Sequence, residues 1–289
     1  MSEVRQWEER DAAQWIAVPD ERSDKYTRGV LGVVTGSDLY PGAAVLGTEA
    51  AARTGVGMIR YLGASRPAEE VLRRRPEVVT APGRVQAWLI GSGMDASSRP
   101  EDDAVRLRHA IEDGTPLVID AGALDLVGDA TGPVVITPHY RELAGVIARA
   151  GEDDGQAPSA ADIADDPGGW ALRASHLLGV TVLLKGHTTH IATPAGTHRA
   201  VTAGPPWLAT AGSGDVLGGV LGALVATHEQ ELSGTREETL EALAALAATA
   251  AWVHGRAGER ASAGGPIAAL DIAGELAAVV RDLVTAGAS

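Results

Sequence analysis

Residues 30–53, VLGVVTGSDLYPGAAVLGTEAAAR, indicate the fold class of this 289-residue chain. Val30 to Thr35 form a short apolar, β-branched run that ends at Gly36, which is typical of a buried strand. Ala43 to Arg53 are rich in alanine and stop at Gly55, which predicts a helix closed by a glycine. A strand followed by a polar loop and a helix is the repeating unit of a parallel sheet.

The same alternation continues along most of the chain. Apolar runs bounded by glycine, proline or aspartate predict further strands at 57–62, 87–90, 117–120, 134–137 and 181–185. Helical patterns occupy 100–113, 141–150, 168–178, 215–228, 236–260 and 272–285. Residues 189–201 hold short alternating pieces around a Pro-Ala-Gly turn, which predicts a hairpin on the sheet edge. We therefore predict an α/β protein, a three-layer α/β/α fold with a mostly parallel central sheet.

Composition narrows the class of protein. Hydrophobic residues make up 45% of the chain and aromatic residues 3%, so we expect a packed core of Val, Leu, Ile and Ala. The absence of cysteine excludes disulfides, zinc–thiolate sites and a thiol nucleophile. With 24 basic and 38 acidic side chains, the net charge of −14 argues against nucleic-acid binding.

The chain has no visible targeting or membrane segment. The first residues, MSEVRQWEERDAAQW, are charged and lack the apolar region of a signal peptide. The longest weakly polar stretches, 216–227 and 242–253, are shorter than the roughly 20 residues that a membrane span needs. We expect a soluble, cytoplasmic protein that binds neither membranes nor nucleic acids.

The strongest local motif is Ala209–Gly219, ATAGSGDVLGG. Its small residues permit close approach of the backbone to a ligand, and we expect positive φ at Gly212 and Gly214. Asp215 stands where the next helix begins, beside free amides that favour an anion. This combination suits phosphoryl transfer, in which amides stabilise the phosphoryl oxygens and the acid accepts a hydroxyl proton. The motif alone fits equally well with a helix cap at Asp215 and glycines that merely make a turn.

Four further motifs follow predicted strands, at 36–43, 91–95, 137–142 and 185–189. Lys185 ends a buried strand, where it is either a phosphate ligand or a solvated lysine. His139 and Glu142 leave another strand at the same end, although an isolated histidine is more often structural. Because all five motifs open onto one edge of one sheet, we predict a nucleotide or phosphate site there. Metal-ligand spacing and a Walker-type ending are absent from the sequence, so we expect no dedicated transition-metal site.

Taken in order, these motifs resemble those of the NAD(P)H-hydrate dehydratases, which belong to the ribokinase-like superfamily. The resemblance rests on Gly36-Ser37, Tyr40 to Ala44, Ile90 to Gly93, Ile119 to Leu124, Thr137 to His139 with Glu142, Lys185 to Thr189, and Gly212 to Leu217. It runs from about Lys25 to at least His254. It implies a single ribokinase-like domain over residues 1–289, in which 1–24 are an N-terminal extension.

The resemblance implies a repair reaction. Such an enzyme is an ADP-dependent hydro-lyase that returns the S-epimer of hydrated NADH or NADPH to NAD(P)H, with ATP as the other candidate phosphoryl donor. A phosphoryl group is transferred to the ring hydroxyl, and elimination then restores the dihydronicotinamide. The family also leads us to expect a homo-oligomer, a tetramer.

The resemblance further implies roles for individual residues. Ala43, Gly93 and His139 would line the hydrate site, and Asp215 would contact the substrate hydroxyl and accept its proton. Glu142 would organise Mg²⁺ indirectly, through water. The residues implied for the adenine nucleotide are Lys185, Gly186, His187, Thr188, Thr189, Gly212, Ser213 and Gly214.

The chain departs from the family pattern in three loops. Gly212-Ser213-Gly214-Asp215 replaces Gly-Thr-Gly-Asp, and Gly91 to Asp95 replaces Gly-Pro-Gly-Leu-Gly. Asp120 to Leu124 has lost the second acid of Asp-Ala-Asp-Ala-Leu. Two other functions remain open on the sequence: a small-molecule kinase of the same superfamily, acting on a thiazole or pyrimidine alcohol, and a nucleotide-sensing module without catalysis.

Overall fold

A computed structural model of the chain describes residues 4–151 and 157–287. Within these ranges the strands are β1 (Arg5–Gln6), β2 (Val30–Val34), β3 (Met58–Tyr61), β4 (Ala87–Ile90), β5 (Leu117–Ile119), β6 (Val134–Ile136), β7 (Thr181–Leu184), β8 (Thr189–Ala192) and β9 (His198–Val201). The α-helices are α1 (Glu9–Ala13), α2 (Pro41–Thr54), α3 (Ser65–Arg74), α4 (Glu101–Glu112), α5 (Tyr140–Ala150), α6 (Ala160–Asp165), α7 (Pro167–Leu178), α8 (Ser213–Ala226), α9 (Arg236–Ser262) and α10 (Ala269–Gly287). Three short 3₁₀ segments cover 96–98, 121–129 and 206–208.

The described strands form one sheet in the order β1-β9-β8-β7-β6-β5-β4-β2-β3. Neighbouring strands are parallel except at β7–β8 and β8–β9, so β8 runs against all the others. The predicted mostly parallel sheet and the hairpin over 189–201 are therefore confirmed. The prediction that the hairpin lies on the edge is wrong, because Arg5 and Gln6 pair with β9 and add one more strand.

Side chains alternate between two buried layers along each central strand. Leu31 and Val33 of β2 face a cluster that includes residues of α2, α8, α9 and α10, whereas Val30 and Val34 face a cluster that includes α4, α5 and α7. Strands apolar on both faces need helices on both faces, which confirms the three-layer α/β/α fold. Valine, leucine, isoleucine and alanine fill most of both layers, as the composition predicts.

Helices α2 and α8 touch through glycines. A Cβ atom added at Gly219 would lie 2.2 Å from the carbonyl oxygen of Gly47 and 2.8 Å from the Cβ of Ala50. Only glycine at position 219 therefore lets the two helix backbones approach this closely. Because each helix begins at a loop that carries one of the predicted motifs, this contact fixes those two loops relative to each other.

The predicted helices are all present in the described ranges, and most of their ends agree within two or three residues. Helices α1, α3 and α6 are additions to that prediction. None of the helices in the described ranges combines the length and the apolar character of a membrane span.

Candidate active site

The carboxyl ends of the central parallel strands border an open cleft with a volume of about 1760 Å³. Its walls come from the loops after β2, β4, β5 and β6 and from the turn that precedes α8. The four residues predicted for the hydrate site, Ala43, Gly93, His139 and Asp215, all line this cleft. Segments that are far apart in the sequence thus meet in one concave site, as expected for an open α/β sheet.

Asp215 lies in the first turn of α8. The helix begins at Ser213, two residues earlier than predicted, with Gly212 as its N-terminal cap at φ +86°. The expected positive φ at Gly214 is wrong, because Gly214 is already inside the helix. Asp215 is therefore not the cap residue, and its carboxylate makes no hydrogen bond or ion pair with the residues that the structure describes. Burial, reinforced by the negative charge of Asp120 and opposed by Lys185, raises the pKa of the Asp215 carboxyl to about 6.

The ammonium group of Lys185 is fixed by neighbouring carboxylates and is not freely solvated. Its backbone N–H donates to the carbonyl of Pro138 at 2.8 Å, and its Nζ donates to Asp120 Oδ1 at 2.8 Å. The same Nζ lies 3.8 Å from Glu142 Oε2 and 3.6 Å from the position that a Cβ at Gly214 would occupy. Burial opposes the charge of the ammonium group, but Asp120 and Glu142 raise the pKa of Lys185 overall. A fixed positive charge therefore stands beside the start of α8.

Asp120 anchors this lysine, a role that our sequence analysis missed. Its side chain is buried and accepts hydrogen bonds from Ser92 Oγ at 3.0 Å, Thr137 Oγ1 at 2.8 Å and Lys185 Nζ. Burial opposes its ionisation, but Lys185 and the two hydroxyl groups together lower the pKa of Asp120. The sequence did contain a signal for this cluster: a polar residue, Ser92, Asp120 or Thr137, follows each of the strands β4, β5 and β6.

His139 and Glu142 cap α5 reciprocally. His139 Nδ1 accepts from the Glu142 N–H at 3.0 Å, and Glu142 Oε2 accepts from the His139 N–H at 2.8 Å. His139 is thus structural as well as part of the cleft, and a neutral ring that accepts at Nδ1 carries its proton on Nε2. No group of three or more histidines or acidic residues able to hold a metal occurs in the described part of the chain.

The residues predicted for the nucleotide mostly do not line the cleft. Of the eight, only Gly212 lines it. Ser213 Oγ lies 3.1 Å from Nε2 of His254, whose burial lowers its pKa to about 4 and keeps the ring neutral. Thr188 Oγ1 lies 2.9 Å from Thr202 Oγ1. The structure brings Lys185 and Gly214 together, and residues 186–188 connect Lys185 directly to β8, which begins at Thr189.

Two comparisons of the sequence, one with family models and one with named proteins, agree on one family. The sequence model of the NAD(P)H-hydrate dehydratase family matches residues 31–274. The chain is 44% identical over 228 residues to a bifunctional NAD(P)H-hydrate repair enzyme of Mycobacterium tuberculosis, which covers 75% of this chain and 44% of the relative. It is 31% identical over 232 residues to an ADP-dependent (S)-NAD(P)H-hydrate dehydratase of Xanthomonas campestris, covering 72% of this chain and 76% of the relative. The chain thus spans less than half the length of the bifunctional relatives.

A solved structure shares the fold. The ADP/ATP-dependent NAD(P)H-hydrate dehydratase of Bacillus subtilis, co-crystallised with ATP and Mg²⁺, superposes with a TM-score of 0.80. The two chains are 22% identical, and the superposition covers 97% of this chain and 99% of the other. A ribokinase-like superfamily protein of Enterococcus faecalis gives a TM-score of 0.77 at 21% identity. These likenesses establish a ribokinase-like fold.

Proposed function

The chain belongs to the NAD(P)H-hydrate dehydratase family, and we propose that it is a hydro-lyase that dehydrates the S-epimer of hydrated NADH or NADPH at the expense of ADP. ATP is the alternative phosphoryl donor. Its relative in X. campestris bears the name of this activity, and its structural neighbour in B. subtilis was crystallised with ATP and Mg²⁺. The proposal extends those properties to the cleft described above.

The proposal depends mainly on the raised pKa of Asp215 and on its position in the cleft. A carboxyl group with a pKa of about 6 is largely ionised at neutral pH and still basic enough to take up a proton. It has no partner among the described residues to compete for that role, and it lies in the cleft with Ala43, Gly93 and His139. Lys185 and the amide groups that begin α8 supply positive electrostatic potential next to it.

In the proposed reaction the ring hydroxyl gives its proton to Asp215 as its oxygen bonds to the terminal phosphorus of ADP. The bond between that phosphorus and the bridging oxygen breaks, and AMP leaves with the electron pair. Phosphate then leaves the ring carbon with the C–O electron pair, and the neighbouring carbon gives its proton to water, so that its C–H electron pair restores the double bond. Lys185 and the α8 amides stabilise the charge on the transferred group.

Glu142 fits the indirect role in magnesium binding that we propose for it. One of its carboxylate oxygens accepts the His139 N–H, and its side chain remains 23% exposed. Mg²⁺ usually keeps several waters and shares its remaining ligands with substrate phosphates, so one carboxylate beside a nucleotide site suffices. When bound, the ion would shield the phosphate charge.

For the adenine nucleotide we propose Lys185, Gly186, His187, Thr188, Thr189, Gly212, Ser213 and Gly214. The short distance between Lys185 Nζ and Gly214 supports this set. We further propose that residues 1–289 act as one domain, because β1 completes the sheet. A cytoplasmic location suits substrates that are intracellular cofactors. A tetrameric assembly and the lack of contact with nucleic acid or membranes stay predictions.

The test is direct. Purified protein is incubated with the S-hydrate of NADPH, ADP and Mg²⁺, and the return of the dihydronicotinamide absorbance is followed. Asp215→Asn should retain ADP binding and lose at least about a hundredfold in turnover, as expected for a general base. Asp165→Asn, which removes an exposed carboxylate that does not line the cleft, is the matched control and should remain active.

Two results would contradict the proposal. Folded wild-type protein that restores no dihydronicotinamide with either ADP or ATP is not a dehydratase. A stable phosphorylated product from a thiazole or pyrimidine alcohol would instead make it a kinase. Near wild-type turnover of Asp215→Asn would be compatible with the dehydratase function but would show that Asp215 is not its general base.

A further inference from the structure

Five arginines line the cleft, and three of them are used within the fold. Arg66 donates to the carbonyl of Asp38 at 2.6 Å, Arg99 pairs with Asp125 at 2.6 Å, and Arg106 pairs with Asp103 at 2.7 Å. These guanidinium groups are already neutralised or hydrogen-bonded. The charges of Asp125 and Asp103 on that side of the cleft are in turn neutralised by Arg99 and Arg106.

The other two, Arg141 and Arg149, have no bonding partner among the described residues. Both are exposed, both line the cleft, and neither makes an ion pair or a side-chain hydrogen bond to any residue in the described ranges. They lie eight residues apart on α5 with Gly145 midway between them. Residues at this spacing share one face of a helix. The face of α5 that borders the cleft therefore presents two cations without a partner in the described ranges, about 12 Å apart along the helix axis.

Gly145 leaves that face open. It lines the cleft itself, and the nearest side-chain atom to a Cβ built there is Nη1 of Arg149, at 3.6 Å. The Arg149 guanidinium thus leans back along α5 towards Arg141, over a position with no side chain. Helix α5 begins at Tyr140, directly after its cap residue His139, which the family resemblance places at the hydrate ring, so the two arginines extend along the helix away from the ring site.

We propose that Arg141 and Arg149 form a phosphate subsite that binds the phosphate groups of the dinucleotide substrate while its hydrated ring lies next to Asp215. This inference rests on the proposed function and adds residues to it. Guanidinium groups bind phosphate oxygens through paired N–H donors, and unpaired ones in a cleft are free to do so. In a protein with a net charge of −14, two uncommitted cations along one wall offset the repulsion of an anionic ligand.

The test compares Arg141→Gln and Arg149→Gln with wild type on three substrates. These are the S-hydrates of NADPH, of NADH and of dihydronicotinamide riboside, which has the ring but no phosphate. Each substitution should raise KM for the dinucleotide hydrates about tenfold and leave kcat within about twofold, since contacts remote from the reacting atoms contribute uniform binding. KM for the riboside hydrate should stay unchanged. Comparing the NADPH and NADH hydrates shows whether the 2′-phosphate or the pyrophosphate is bound.

Arg108→Gln is the matched control. Arg108 is an exposed arginine on α4 that makes no side-chain hydrogen bond or ion pair with any described residue and does not line the cleft. Its loss should leave all three KM values as in wild type. In the part of the chain that the structure describes, the substituted arginines make no side-chain hydrogen bond or ion pair, so unchanged thermal unfolding is expected for every variant.

Calorimetric titration with NADPH separates this inference from the proposed function. A tenfold weaker Kd in Arg141→Gln and Arg149→Gln supports the subsite even if wild type dehydrates nothing. KM and Kd within twofold of wild type for both variants would overturn the subsite, whether or not dehydration is observed. An equal rise in KM for the riboside hydrate would also overturn it, because that substrate carries no phosphate.

Discussion

Replacing Asp215 with asparagine is expected to stabilise the protein at alkaline pH while it removes turnover. Burial, reinforced by Asp120, raises the pKa of this carboxyl from 3.8 to about 6. Each pKa unit corresponds to about 1.4 kcal/mol, so ionising Asp215 costs about 3 kcal/mol more in the folded protein than in the unfolded chain. Asparagine has nearly the same shape and never ionises, so the variant does not incur this cost.

The effect has a defined pH window. Since the folded-state pKa is raised, the stability linked to the protonated carboxyl is fully present below the unfolded pKa of about 4 and is lost as the pH rises through about 6. The stability advantage of Asp215→Asn over wild type should therefore grow by about 2 kcal/mol between pH 4 and pH 8. For a chain of this length, that corresponds to a change of roughly 5 °C in the Tm difference.

The assay is urea unfolding of both proteins at pH 4 and pH 8. The slope of the free energy of unfolding against urea concentration must be the same for the two proteins at each pH, so that their midpoints can be compared. If the difference between variant and wild type is the same at both pH values, Asp215 does not titrate at a raised pKa. The assignment of Asp215 as a poised base would then lose its physical support.

Two further outcomes are expected. In the wild type, kcat/KM should rise with pH through an inflection near pH 6, because Asp215 must be ionised to accept a proton; a flat profile between pH 5 and pH 7 would contradict this role. Gly219→Ala should lower the free energy of unfolding by about 2 kcal/mol, since the new Cβ would meet the carbonyl of Gly47 at 2.2 Å. Gly128→Ala is its control, because a Cβ there meets nothing within 4 Å, and equal midpoints in urea for the two variants would disprove the close helix contact.

The central strands were predictable because their apolar character does not depend on distant partners. Residues 87–90 read as a buried strand in the sequence and are one in the structure, and the family resemblance is confirmed by the match over residues 31–274. Strand β1 was not predictable, because it consists of two polar residues, Arg5 and Gln6, with no apolar pattern. They form a strand because they pair with β9. Helix α3 contains five charged residues and a proline, and its packing on α2 decides its structure.

Which loops form the site was predictable, but most of the contacts within it were not. Parallel strands place their carboxyl ends on one edge, so residues far apart in sequence, such as Ala43 and Asp215, were expected to meet. The bond between Asp120 and Lys185 joins residues 65 positions apart, and no local pattern specifies it. Arg149 lies at the end of α5, where an arginine is ordinary. Only the three-dimensional structure shows that Arg149 lines the cleft.

The pairing of β1 with β9 also sets an order of events during folding. Residues 5–7 pair with residues 199–200, and Gly287 of α10 lies against Ala13, the last residue of α1. The first contact therefore cannot form until residue 200 has been synthesised, and the second cannot form until residue 287 has been. Contacts between such distant segments form slowly because a long loop must close first. Until then the outer edge of β9 is an unpaired template for strands of other molecules. Refolding at high protein concentration should therefore produce aggregates through this edge.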